Sequence, residues 1–286
     1  MTLKFKPFLG ILLLTVCSST PAWANNNNNA TVTSAVVMQA PKKESRIWSG
    51  FFNMSRSMNA IDHQDGNRLD GMDYMARLNL RINKDYAIRA QGGYSQDLND
   101  SQNDDFSDTS VSFVRSAMPV GKTFLMNYRI NSGLPTSKDS RVRQNLIGSL
   151  TGAVSFIVNP KRLQPGVDIS ASLSVGRNFH QYETALDGRV NTEWSSSQAL
   201  SLGYNFSFGL SMTADFSHRN TWSYQNVMRD SFALSQEIGY QMNSSIAVAA
   251  GHSNSGSTLK PNGQDTNVQF FDDNKSIVYG SLTYIF

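Results

Sequence analysis

The C-terminal stretch Ser276-Ile277-Val278-Tyr279-Gly280-Ser281-Leu282-Thr283-Tyr284-Ile285-Phe286 decides the fold. At a period of two, Val278, Gly280, Leu282, Tyr284 and Phe286 form one row. Ile277, Tyr279, Ser281, Thr283 and Ile285 form the other. Successive side chains of a strand point to opposite faces, so this is a strand with one apolar face and an aromatic at its end.

The alternation recurs upstream. Tyr74, Ala76, Leu78, Leu80 and Ile82 alternate with Met75, Arg77, Asn79 and Arg81; Val167, Ile169, Ala171, Leu173 and Val175 with Asp168, Ser170, Ser172 and Ser174. Strands are expected at 46–56, 72–83, 85–95, 107–117, 122–132, 144–158, 166–177, 190–206, 209–219, 229–241, 244–253 and 274–286, twelve in all. No run of about eighteen apolar residues offers a transmembrane helix.

The connections alternate as well. Short ones fall at Asn83-Lys84, Pro119-Val120-Gly121, Asn159 to Pro165, Ser207-Phe208 and Met242-Asn243; longer ones at 57–71, 96–106, 133–143, 178–189, 220–228 and 254–273. Even strand number, alternating connection length and an apolar outer face predict an all-β, transmembrane, antiparallel up-and-down barrel of about twelve strands. A soluble sandwich would present a polar outer face. Tyr86, Phe124, Phe206, Phe208, Tyr284 and Phe286 cluster near the short turns; Tyr94, Phe106, Trp194, Trp222 and Tyr224 lie near the long loops. Two interfacial girdles are expected.

The apolar row ending in Leu282, Tyr284 and Phe286 resembles the last strand of Gram-negative outer-membrane β-barrels, the porin-like class. The resemblance implies an outer-membrane location and contact with outer-membrane lipids and lipopolysaccharide. It also implies that Leu282, Tyr284 and Phe286 are the assembly signal read by the barrel-assembly machinery. Both termini would be periplasmic and the long loops extracellular.

Composition agrees with export. Only 16% of the 286 residues are charged and the net charge is +3, too small to suggest a nucleic-acid partner. Residues 1–24 read as a signal peptide, with Lys4 and Lys6 before the apolar run Phe8 to Val16 and a small-x-small site at Ala22-Trp23-Ala24. Cys17 lies in this segment, is the only cysteine, and follows Val16 where a lipoprotein site needs a small residue. Cleavage before Asn25 would leave a chain without disulfides, thiol catalysis or cysteine metal sites. Residues 25–45 read as a flexible periplasmic leader and 46–286 as the barrel.

If the apolar rows meet lipid, Arg77, Arg81, Arg89 and Arg129 point inward on one side, and Asp168, Glu193, Asp215 and Glu237 on the other. These eight are the candidate pore-lining residues. They either face a water-filled bore with a transverse field, or pair across it and close it with the Ser and Asn rows. Gly93, Gly152, Gly203, Gly239 and Gly251 would leave room for water or for large neighbours.

The loops offer two further candidates. Asp97, Asp100, Asp104, Asp105 and Asp108 are oxygen ligands in type, but the EF-hand spacing and its final Glu are absent. The stretch His252-Ser253-Asn254-Ser255 is similar to the His-x-Ser-Asn stretch of outer-membrane lipid A deacylases, and more faintly to outer-membrane phospholipases. That resemblance implies a Ser–His hydrolase at the outer leaflet, with His252, Ser253 or Ser255, and Asp265 as orienting group. The spacing departs from the family: adjacent His252 and Ser253 would point to opposite faces of a strand. His63, His180 and His218 form no spaced metal set, and no phosphate loop or dinucleotide fingerprint is present, so no cofactor or metal is expected. The leading expectation is a narrow pore for ions or small polar solutes. The alternatives are the lipid hydrolase and a closed barrel whose long outer loops serve adhesion or surface recognition. A homo-oligomer is compatible with the lipid-facing surface, but no residue pattern specifies a subunit contact.

Overall fold

The computed structural model describes residues 47–60, 69–100, 103–260, 262–273 and 275–286. The signal segment 1–24 and the leader 25–45 lie outside the described residues, as does most of the first long loop. Each expected alternating segment is a strand. In chain order they are β1 (Trp48–Asn59), β2 (Asp70–Arg81), β3 (Tyr86–Asp97), β4 (Asp105–Phe106), β5 (Thr109–Val120), β6 (Phe124–Leu134), β7 (Leu146–Val158), β8 (Val167–His180), β9 (Thr192–Asn205), β10 (Leu210–Ser223), β11 (Met228–Gln241), β12 (Ile246–Ser257) and β13 (Ile277–Ile285). All pairings are antiparallel; β4 only extends the loop beside β3, and β13 pairs back onto β1. The result is a closed twelve-stranded barrel with one two-residue accessory strand.

Closure removes every sheet edge. The seam runs from Phe51↔Ile285 to Asn59↔Ile277. Beyond it, the backbones of Gly50 and Phe286 exchange two hydrogen bonds of 3.1 Å. The Phe286 ring then lies across Gly50, where an added Cβ would fall 2.8 Å from Phe286 Cζ. Trp48 packs beside it, with ring centroids 5.8 Å apart. The terminal aromatic therefore sits on the closing seam.

The outward rows are those with alternating large apolar side chains. Leu78, Leu173, Val175 and Ile238 are each more than half exposed. So much unburied apolar surface is stable where the surrounding solvent is hydrocarbon. An outward aromatic row, Phe52–Tyr74–Tyr94–Phe106, has centroid steps of 6.4, 6.3 and 5.2 Å and leads towards the long loops. At the short-turn end, Tyr204, Phe206 and Phe208 form a second cluster. Tyr224 differs from the girdle expectation: its hydroxyl donates to the carbonyl of Asn178 and ties the β10–β11 turn to the end of β8.

The short turns are built by local chemistry. Asn83 Oδ1 accepts from the amides of Asp85 and Tyr86, at 2.8 and 2.9 Å, and Asn243 Oδ1 from those of Ser245 and Ile246 at the same distances. These Asx turns reverse the chain in a few residues. Gly121 and Gly209, at φ +65° and +93°, supply the left-handed residue that two other turns need.

The main departure is at the long-loop end, where β8, β10 and β12 run on to residues 180, 223 and 257. The connection expected at 220–228 contracts to 224–227. Asn226, at φ +58°, and the Ser223 hydroxyl, which accepts from the Val227 amide, make it a tight turn. The first long connection also shortens, from 57–71 to 60–69, and the other long connections keep their length.

Candidate functional site: the barrel interior

Twelve strands about 4.8 Å apart and tilted about 40° give a backbone cylinder roughly 24 Å across. A layer of side chains about 5 Å deep on each side leaves a bore of roughly 14 Å. The inward rows are mostly Ser, Thr, Asn, Gly and Ala, which are too short to fill it. Long side chains at particular heights decide how wide it is.

Arg77, Arg89 and Glu237 lie towards the short-turn ends of β2, β3 and β11, whereas Tyr279 is the third residue of β13, nearer the long-loop end. Arg77, Arg89, Glu237 and Tyr279 all point inward and are buried. Arg77 donates through Nε and Nη2 to Gln91 Oε1 at 2.9 and 2.5 Å, with its guanidinium 4.9 Å above the Phe51 ring. Arg89 Nε donates to Asn79 Oδ1 at 2.9 Å. The Tyr279 hydroxyl donates to Glu237 Oε2 at 3.0 Å. Gly251 makes this last contact geometrically feasible. It lies between the two in register, Glu237↔Gly251↔Tyr279, and a Cβ there would fall 2.4 Å from Tyr279 Cζ and Oη. The ring crosses one strand over a glycine to reach its carboxylate. Arg77 and Arg89 on β2 and β3, and Glu237 and Tyr279 on β11 and β13, thus set long side chains of both charges on the inward face.

Asp168, one residue into β8, is buried and accepts from Asn205 Nδ2 at 2.6 Å. Asp215 and Arg129 face inward and are half-buried, Asp215 beside Ser201 and Ser235. Arg81 ends β2 and is exposed at the short-turn mouth. Glu193 departs from expectation. The register shift opposite Trp222 and Ser223 leaves Glu193 as an extra residue in β9, and it turns to the same face as Trp194. Its carboxylate meets Arg177 at 2.7 Å, and the Arg177 guanidinium lies 5.1 Å from the Trp194 ring on the outer surface. Gly152 likewise faces outward, in a groove between Tyr128, Ile130, Val154, Leu173 and Val175; Gly93, Gly203, Gly239 and Gly251 face inward.

The long-loop half has a different character. Ser172, Ser174, Ser195, Ser197 and Ser217 line β8 to β10, and all retain accessible surface. They give the long-loop half of this wall a hydroxyl-lined inward face. Arg219 belongs to this wall. It continues the inward row Ser211, Thr213, Asp215, Ser217, and extending that row by one step finds it in the sequence. Tyr279 and Gln91 had no comparable signal, because their roles depend on which residue each meets across strands.

The hydrolase candidates are not brought together. His252 lies on the outward row, its Nδ1 bonded to Gln236 Oε1 at 2.9 Å. Phe270 and Phe271, from the loop 258–276, stack against its ring with centroids 5.6 Å away. Ser253 and Ser255 pair with Ser235 and Ala233, on the inward face. Asp265 is held by Asn262 Nδ2 at 2.8 Å within the loop. His218 also faces outward, with Nε2 on Asp230 Oδ1 and Nδ1 on Gln198 Oε1, at 2.5 and 2.8 Å. Both His218 nitrogens are thus engaged, whereas His252 Nε2 is buried without a hydrogen-bond partner on the face opposite Ser253 and Ser255.

The aspartates of the second long loop serve as staples. Asp104 accepts from the Asp97 amide and the Tyr94 hydroxyl, at 2.9 and 3.1 Å. Asp108 accepts from the Ser137 amide and the Ser140 hydroxyl of the following loop, at 3.0 and 2.5 Å. Among the described residues no cluster of three or more His, Cys, Asp or Glu is set to hold a metal ion.

No protein-family model and no curated protein matches the sequence. Solved structures do match the fold. The barrel is similar to the COG4313 outer membrane channel from Pseudomonas putida F1, with a TM-score of 0.57 and 8% identity over 84% of this chain and 95% of that one. It is also similar to the NanC porin, with a TM-score of 0.53 and 8% identity over 82% and 98%. The architecture is thus shared with outer-membrane channels and porins, while the side chains that fill it are this chain's own.

Proposed function

We propose that the protein is a narrow outer-membrane pore for ions or small polar solutes. The carrying observation is the mismatch between a bore of roughly 14 Å and inward rows of mostly small polar side chains. Solute enters the serine-lined vestibule and passes the constriction at Arg77, Arg89, Glu237 and Tyr279. Arg129 and Asp215 line the approach and Arg81 the exit. Twelve strands lie between filled eight-stranded barrels and wide porins, which fits a pore gated by a few long side chains.

The long loops face the exterior and both termini the periplasm. The outward ion pairs support this orientation. Arg56–Asp70 at 2.9 Å and Arg177–Glu193 at 2.7 Å both lie towards the long-loop end, as does the His218–Asp230 hydrogen bond. Charged pairs on a lipid-facing surface belong at a headgroup layer, and the phosphate-rich surface of lipopolysaccharide suits mixed charge. Leu282, Tyr284 and Phe286 present the strand end that the assembly machinery would read.

Planar-bilayer recording of the refolded protein tests this reading. Wild type is expected to give discrete conductance steps, and Tyr279→Ala larger ones. R81Q/R129Q should shift selectivity towards cations. Silence from both wild type and Tyr279→Ala, in protein shown to be folded, would refute it.

A further inference from the structure

Arg219, in the long-loop half of the inner wall, differs from the inward Arg77 and Arg89 in having nothing to bind. It is half-buried in β10, facing the vestibule, with Ser197 of β9 and Ser231 of β11 directly opposite. The Ser231 hydroxyl reaches its backbone carbonyl at 3.4 Å, which places that hydroxyl beside the residue. The guanidinium itself makes no hydrogen bond or ion pair with any described residue. By contrast, Arg77 is held by Gln91 and Arg89 by Asn79, while the outward Arg56 and Arg177 are each held by a carboxylate. The nearest acid on its own inward row, Asp215, lies four residues towards the short turns, beside Ser201 and Ser235.

A guanidinium carries five donors in a planar fork and no acceptor, and removing part of it from water without an acceptor is unfavourable. The fork matches two oxygens of a carboxylate or phosphate, which it binds through two parallel hydrogen bonds. Serine hydroxyls on both flanking strands add donors that rotate to suit the bound group. We propose that Arg219, with Ser197 and Ser231, is a binding site for the anionic oxygens of a passing solute, a carboxylate or a phosphate. It lies above the constriction, where it would concentrate anions before they meet the mixed-charge zone. The proposal deepens the pore reading, but binding at this site does not depend on conduction.

Calorimetric titration of the folded protein in detergent, with succinate and with inorganic phosphate in separate runs, tests it directly. Saturable binding of at least one anion is expected, and the tighter of the two identifies the source. R219Q should weaken it by about tenfold to a hundredfold, as for loss of a charge-assisted pair. R219K should retain part of the phosphate affinity and lose more of the succinate affinity, because an ammonium is a point charge without the fork. L173A, on the outer face of β8, controls for the fold and should bind as wild type. Equal binding by R219Q and wild type, or none by wild type to either anion, overturns the proposal. In bilayers the same anion, added on the long-loop side, should reduce the wild-type current and leave R219Q current unchanged. Binding without any conductance would leave the site standing and defeat the pore reading.

Discussion

Gly251→Ala should be costly out of proportion to the single methyl it adds. The new Cβ would stand 2.4 Å from Tyr279 Cζ and Oη and 2.7 Å from the Gln236 carbonyl oxygen. The ring has to leave, and with it goes the hydrogen bond to buried Glu237. Overpacking of this kind costs about 1–3 kcal/mol, and loss of a hydrogen bond to a charged group about 1.5–3 kcal/mol. The two overlap, so the expected loss is about 2–4 kcal/mol. Gly203→Ala is the control: its Cβ would meet Asp168 Cβ at 3.5 Å, an ordinary contact. That variant should stay within about 0.5 kcal/mol of wild type. Urea unfolding of barrels refolded into lipid vesicles, followed by tryptophan fluorescence, gives both numbers. Tyr279→Ala then closes a double-mutant cycle. Without the ring, Gly251→Ala retains only the clash with the carbonyl, so the two changes should couple by at least about 1 kcal/mol. A neutral Gly251→Ala, or two effects that simply add, would refute the account of the constriction.

Two further outcomes follow from the outer surface. In F270A/F271A the His252 ring loses both phenyl neighbours, so its modification by diethyl pyrocarbonate, read by peptide mass spectrometry, should rise several-fold while His218 is unchanged; equal labelling would contradict the stacking. Phe286→Ala removes the ring from Gly50 and Trp48 at the seam, and should lower the yield of heat-modifiable, membrane-inserted barrel in cells while Phe286→Tyr preserves it; full yield from Phe286→Ala would argue against the terminal aromatic as the assembly signal.

Much of the barrel is legible in the sequence because two local rules act in every strand. Alternation fixes which side chains meet lipid, as with Leu78 and Leu80 against Arg77 and Asn79. Asn83 and Asn243 announce their turns through side chains that bond the next amides. Rules local to one strand fail where a second strand decides the outcome. Glu193 has inward parity, but a register shift set by β10 turns it outward to Arg177. Gly152 looks like lumen space, yet its pairing with Ile130 places it on the lipid side. Gly251 could be recognised as a glycine facing inward, but its purpose lies in Tyr279 on the adjacent strand. The loop 258–276 carries Phe270 and Phe271 down the outer face to His252, a long-range packing choice that alternation cannot express. Arg219 was readable by parity alone; that it has no partner is a property of the folded barrel.

Cysteine scanning along the inner wall is a direct test for a water-filled passage through the barrel. Cys17 is the only cysteine, so a protein starting at Asn25 offers a clean background. Single cysteines at Ser174 and Ser197 (vestibule), Leu173 and Leu200 (outer face) and Thr283 (buried wall) would be treated with a charged methanethiosulfonate during bilayer recording. A stepwise fall in current is expected for S174C and S197C, and no change for L173C, L200C and T283C. Equal insensitivity of all five in a conducting barrel would mean that ions travel by another route, and no current from any folded variant would mean a closed barrel.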